Sequence, residues 1–140
     1  MTTENTSYWF RITDFGHLEH IHYGPKLEHQ PVEGLILKRT AMLGSSICYD
    51  SSDPHYCLDN LALEWSGIGR GDFRHSPMEV KMPDGTFMCD FVYQSHRIIP
   101  GFVPMENLPS AYGDDGECQT LEITMQDTSN DVQLTLDYTV

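Results

Sequence analysis

Residues 121–140 carry the feature that most limits what this chain can fold into. Leu121, Ile123 and Met125 alternate with Glu122, Thr124 and Gln126. After Thr128, Ser129, Asn130 and Asp131, the residues Val132, Leu134, Leu136, Tyr138 and Val140 alternate with Gln133, Thr135, Asp137 and Thr139. Successive side chains of a strand point to opposite faces, so this pattern describes two antiparallel strands, apolar on one face and polar on the other. No stretch has a helical period of similar quality. The expected class is all-β, an antiparallel β-sandwich of a single domain spanning residues 1–140.

The rest of the chain fits that class. Residues 8–13 (YWFRIT) and 17–23 (HLEHIHY) are short aromatic and β-branched runs. Asp14, Phe15 and Gly16 join them, a three-residue connection ending in glycine that suits a hairpin with a bulge at the glycine. Apolar groups on both faces of the first run imply cover on each side. Residues 78–82 and 87–99 flank Pro83-Asp84-Gly85-Thr86, where proline presets φ and glycine permits a positive φ, so a second hairpin is expected there. Residues 26–55 are ambiguous between strand and helical turn around VEGLILKRT, then read as a polar surface loop. Residues 99–116, with three prolines and three glycines, read as a long irregular connection.

Residues 56–77 (YCLDNLALEWSGIGRGDFRHSP) concentrate the chemistry. Gly67, Gly69 and Gly71 let the backbone turn sharply and approach other groups. Trp65 offers a flat apolar face with one N–H, and Asp59, Arg70, Asp72 and Arg74 offer hydrogen bonds to hydroxyls or to one another. That mixture suits a sugar, and it equally suits a well-capped structural bend. Arg70-Gly71-Asp72 spells an adhesion tripeptide, but pairing of Asp72 with Arg70 or Arg74 is the simpler reading. No strand-to-helix context or GK[ST] follows the glycines, which excludes a phosphate loop.

A net charge of −13 argues against binding nucleic acid or an anionic membrane through a broad basic face. No apolar run reaches the length of a membrane span. The start, MTTENTSYWF, has no basic and apolar leader, so a cytoplasmic location is expected. Cys48, Cys57, Cys89 and Cys118 lack CxxC spacing and read as small apolar core residues that stay reduced. Met78, Met82, Met88, Met105 and Met125 read as packing groups.

LDNLALEWSGIGRGDFR, the turn at 83–85, SHRIIPGFVPMENLPSAYG and the terminal strands together resemble the N-terminal β-sandwich domain of glycoside hydrolase family 36. These are bacterial α-galactosidases acting on raffinose and melibiose. The resemblance implies a supersandwich-like domain without catalytic residues or cofactor, the nucleophile and acid/base being aspartates of a β/α barrel that no segment here matches. The alternation still runs at Val140 while the family's sandwich continues, so a truncated part of a larger sandwich is expected, its open edges favouring a homo-oligomer. The expected partners are an α-galactoside sugar and the catalytic barrel. The family motif Ser-Leu-Asp-Thr-x-x-x-Glu-Tyr falls on residues 57–65, with Cys57 and Asn60 as departures. It makes Asp59 and Trp65 the candidate sugar-binding residues and Glu64 a structural partner of an arginine.

Two other readings stay open. One is a stand-alone carbohydrate-binding module. The other is a metal-binding β-barrel in which His20 and His22 share a strand face, with His17 close in sequence and a third ligand from elsewhere; the resemblance implies no metal.

Overall fold

The computed structural model describes residues 1–28, 31–36, 47–109 and 116–140. Among the described residues, five strands form two antiparallel sheets. Strands β1 (Thr6–Ile12) and β2 (Leu18–Pro25) make one, and β3 (Phe91–Pro100), β4 (Gln119–Asp127) and β5 (Gln133–Thr139) make the other in the order β3-β4-β5. Among the described residues the helical pieces are two single 3-10 turns, Val32–Gly34 and Leu58–Asn60.

The alternating pattern of the last two strands becomes a hairpin with Ile123 opposite Leu136 and Met125 opposite Leu134. Ile123 and Met125 are each 2% exposed and form a core with Leu18, Met82, Cys89, Phe91 and Leu134. Burying side chains of this size stabilises by about 1.5–3 kcal/mol each. The Asp127 carboxylate closes the turn, accepting from the Ser129 and Asn130 amides at 3.0 and 2.7 Å.

The first hairpin turns as its sequence implies. The Gly16 amide donates to the Thr13 carbonyl at 2.9 Å, the Thr13 amide to the His17 carbonyl at 2.8 Å, and Gly16 takes φ +87°. A second irregularity was not legible: Trp9 faces His22 while Phe10 faces His20, so Ile21 is an extra residue in β2. The two sheets meet where the Phe10 ring stacks on Tyr138 at 5.3 Å.

The second expected hairpin forms only its turn. The Gly85 amide reaches the Met82 carbonyl at 2.9 Å and the Met82 amide reaches the Thr86 carbonyl at 2.7 Å, but residues 78–82 and 86–90 make no ladder. The glycine stretch occupies the second arm. The Cys89 amide donates to the Ile68 carbonyl at 3.0 Å, and a Cβ built on Gly67 would lie 2.7 Å from the Cys89 carbonyl oxygen. Only a residue without a side chain allows that approach.

Of the ambiguous region, Val32–Gly34 is a 3-10 turn, and residues 37–46 lie outside the described residues. Residues 49–56 are more than a surface loop, since Tyr49 and Tyr56 pack against His17. Cys57 and Cys89 are buried as expected, whereas Cys48 is exposed. Likewise Met82 and Met125 are buried, but Met78, Met88 and Met105 are exposed.

Candidate functional site

Asp59 sits at the centre of the Leu58–Asn60 turn, which the Leu61 amide closes by donating to the Leu58 carbonyl at 3.1 Å. Arg74 adds donors from the side: Nη1 donates to the Leu61 carbonyl at 2.6 Å and Nη2 to the Leu58 carbonyl at 2.8 Å. Arg74 is itself held by the buried Asp72 carboxylate, which accepts from Nε at 2.8 Å and Nη2 at 2.9 Å. A planar guanidinium that grips a carboxylate and two carbonyls fixes the turn from both ends. Of the two arginines expected as partners of Asp72, Arg74 makes the pair, and that pair is the clamp of this site. Asp59 itself is exposed, with Oδ1 3.4 Å from the Phe73 amide.

A groove of about 340 Å³ opens beside this turn, lined among others by Asp59, Asn60, Arg74, His20, Ile21 and Leu35. It presents carboxylate, amide, guanidinium and imidazole groups against an aliphatic wall, a lining that matches a polyhydroxylated ring. The Asn60 side-chain nitrogen is buried there without a hydrogen-bond partner among the described residues.

Trp65 does not share the groove with Asp59. It packs edge-on against Phe91 at 6.5 Å, and its Nε1 is buried without a partner among the described residues. It lines a cavity of about 10 Å³ with Leu58, so it supports the Asp59 turn from the core side.

Glu64 departs from expectation, because its partners are not arginines. Its carboxylate accepts from the Tyr8 hydroxyl at 2.6 Å and the Tyr138 hydroxyl at 2.8 Å, and pairs with His20 Nδ1 at 2.8 Å. Tyr8 belongs to β1 and Tyr138 to β5, so one buried carboxylate ties both sheets to the central loop. Burial, then the bonds to Glu64, push both phenols well above their ordinary range. Beside Glu64, residues 62–64 pair with β2: the His20 amide donates to the Ala62 carbonyl at 2.6 Å and the Glu64 amide to the Leu18 carbonyl at 2.9 Å.

Among the described residues, His17, His20 and His22 do not converge. Directly opposed residues of an antiparallel pair share a face, so the extra residue Ile21 turns His20 to the Phe10 face and His22 to the Trp9 face. His20 goes to Glu64, His22 Nε2 to the Pro25 carbonyl at 3.2 Å, and His17 Nε2 to Asp90 at 3.0 Å. The shared face on which the metal reading rested does not exist.

Asp90, unremarked in the sequence, is the hub of a second polar cluster. It is 6% exposed, and its carboxylate binds His17, the Tyr49 hydroxyl at 2.9 Å, Arg70 Nε at 3.1 Å and the Thr128 hydroxyl at 2.9 Å. Burial alone would raise its pKa. The hydrogen bonds from His17, Tyr49 and Thr128 outweigh that and hold it at about 2. Tyr49 is pushed up to about 12, by burial first and then by its bond to Asp90. Arg70 lies over the Tyr49 ring, 4.9 Å from its centroid. No local motif marks Asp90, because its partners come from positions 17, 49, 70 and 128.

Comparison with known proteins gives a consistent picture. The glycosyl hydrolase family 36 N-terminal domain profile matches residues 16–140. The bifunctional alpha-galactosidase/sucrose kinase AgaSK of Mediterraneibacter gnavus is 30% identical over 138 residues, covering 99% of this chain and 15% of that protein. Alpha-galactosidase AgaA of Geobacillus stearothermophilus is 31% identical over 134 residues, covering 95% of this chain and 18% of that one. The crystal structure of AgaA superposes with a TM-score of 0.88 at 27% identity over 100% of this chain and 19% of its own. The chain thus spans less than a fifth of these relatives.

Proposed function

The chain belongs to the glycosyl hydrolase family 36 N-terminal domain family, and on that premise we propose how it serves an enzyme that hydrolyses terminal α-galactosides such as raffinose and melibiose. The domain buttresses the catalytic barrel and contributes Asp59 to the rim of the sugar pocket. The observation that carries this reading is the exposed Asp59 carboxylate on a turn clamped by Arg74 and Asp72. A carboxylate carried on a fixed turn accepts hydrogen bonds from sugar hydroxyls without the backbone having to reorganise on binding. Trp65 shields that turn from beneath. Support for the sugar class comes from a variant of AgaA solved in complex with raffinose, to which this chain is 28% identical with a TM-score of 0.85.

The test uses AgaA of Geobacillus stearothermophilus carrying residues 1–140 of this chain in place of its matching segment. In an active chimera, Asp59→Ala lowers kcat/KM for raffinose by the scale of one or two charged hydrogen bonds, about 1.5–3 kcal/mol each, or roughly 10- to 150-fold for one. Unchanged kinetics removes Asp59 from the pocket. The same reading includes a homo-oligomer through the edge strands β3 and β5, which light scattering checks, and a cytoplasmic location, which cell fractionation checks.

A further inference from the structure

The extra residue Ile21 in β2 is a device for re-aiming a side chain, as bulges beside binding sites are. It turns His20 to the Phe10 face, where the ring meets Tyr8 edge-on at 5.1 Å. His20 Nδ1 lies 2.8 Å from Glu64 Oε1, while Oε2 of the same carboxylate accepts from the Tyr8 and Tyr138 hydroxyls. The Glu64 side chain is 4% exposed and that of His20 33%. A carboxylate accepts and does not donate, which assigns the proton of the neutral imidazole to Nδ1 and leaves a lone pair on Nε2. Among the described residues, Nε2 has no hydrogen-bond partner. The backbone ties this histidine to the Asp59 turn: the His20 amide donates to the carbonyl of Ala62, the residue after Leu61 that caps the turn. His20 and Asp59 both line the groove of about 340 Å³, and Glu64 lies outside its lining. With the Nδ1 edge engaged by a buried carboxylate, Nε2 is the polar atom this ring offers to the groove.

We propose that His20 is a second sugar-binding residue of this groove, its Nε2 accepting a hydrogen bond from a hydroxyl of the α-galactoside that Asp59 also binds. The inference rests on the reading of the groove as part of the sugar pocket. Glu64 is the positioning residue: it sets the tautomer that makes Nε2 an acceptor, and the two tyrosines hold Glu64 in turn. The ring is thus placed before the sugar arrives, so binding costs it little side-chain freedom. The groove's cation is already engaged, since Arg74 directs Nε, Nη1 and Nη2 to Asp72, Leu61 and Leu58. Two acceptors, one charged and one neutral, fit a ligand that presents hydroxyl donors. A neutral sugar with free hydroxyls meets that requirement, whereas a sugar acid or sugar phosphate would set its own acceptors against them.

The experiment sets two variants against each other in the active chimera with AgaA. The side-chain amide of asparagine ends at the depth of Nδ1, and that of glutamine at the depth of Nε2. His20→Asn therefore keeps a donor for Glu64 and removes the groove acceptor, while His20→Gln does the reverse. His20→Asn is expected to raise KM for raffinose by roughly 3- to 10-fold, the scale of one neutral hydrogen bond, with kcat little changed. His20→Gln is expected to raise KM less. Urea unfolding of the 140-residue chain is expected to give the opposite order, with the midpoint lowered more by glutamine than by asparagine. A KM loss that follows the stability order, or equal losses in both variants, makes His20 a structural residue and overturns the proposal. So does an unchanged KM in His20→Asn when Asp59→Ala is effective, which leaves the Asp59 reading standing. If both His20→Asn and Asp59→Ala are silent, the groove is not the pocket and both readings fall. A silent Asp59→Ala beside a raised KM in His20→Asn strikes Asp59 alone.

Discussion

The β3-β4-β5 sheet and the central stretch of residues 56–90 are packed against each other, yet they are held by different forces. The sheet rests on backbone ladders and on alternating apolar side chains, with Ile123, Met125 and Leu134 turned inward. The central stretch has almost no ladder. Its backbone groups are answered by side chains: Arg74 on the Leu58 and Leu61 carbonyls, Ser76 on the Ser66 and Met78 carbonyls, Asp127 on the Asp90 amide. Cys57, Met82 and Cys89 are its buried apolar side chains beside Leu58. An irregular segment can be fixed when side chains take the place of ladder partners for its backbone groups, but it then depends on a few charged residues.

The sharpest way to break this comparison is to remove the hub. Asp90→Ala leaves His17, Tyr49, Arg70 and Thr128 without their shared acceptor and is expected to cost about 3–5 kcal/mol in urea unfolding. Met125→Ala, the matching lesion in the sheet, is expected to cost about 2–5 kcal/mol through a cavity. The two separate by pH: the Met125 loss persists in acid, while the Asp90 loss shrinks.

That follows from the sign of the Asp90 shift. Its folded pKa is about 2, below the roughly 3.9 of an unfolded aspartate, so its contribution is complete above about pH 5. It is lost as pH falls from about 4 towards about 2, a change of about 2 kcal/mol. Urea midpoints across that window check it, and Asp90→Asn is expected to flatten the slope. Hydrogen exchange in the same window is expected to release amides near Asp90 before those of β4; simultaneous release would erase the distinction between the two regions.

The smallest effect is at the surface of the sheet. Arg97 donates from Nε and Nη2 to Glu122 at 2.6 and 2.8 Å, but the Arg97 side chain is 70% exposed. Arg97→Ala is expected to leave the urea midpoint almost unchanged. A larger loss would mean that exposed pairs matter as much here as the buried Asp90 cluster.

How much could be read beforehand follows the same division. The last hairpin and the Gly16 turn depend on neighbours in sequence and were legible; for Asp72 the sequence offered Arg70 or Arg74, and the structure chose Arg74 while Arg70 goes to Asp90. Asp59 was singled out by its motif, but its clamp was not, since nothing local aims Arg74 at Leu58 and Leu61. The 78–99 region misled because its turn residues were real while its second arm was claimed by Gly67 and Ile68. The paired histidines misled because the extra residue in β2 reverses the alternation and leaves no mark in the residue types around Ile21.

By itself, then, the sequence determined the all-β class, the strands that alternate and the tight turns, because side-chain period and φ preference act over a few residues. Only the tertiary structure decided what the buried charges do. Asp90 gathers donors from four distant positions, Glu64 joins two sheets through Tyr8 and Tyr138, and Trp65 turns into the core and away from the groove. A carboxylate has the same chemistry in any sequence, and its role is set by which donors the fold brings within hydrogen-bonding distance and how completely water is excluded around them.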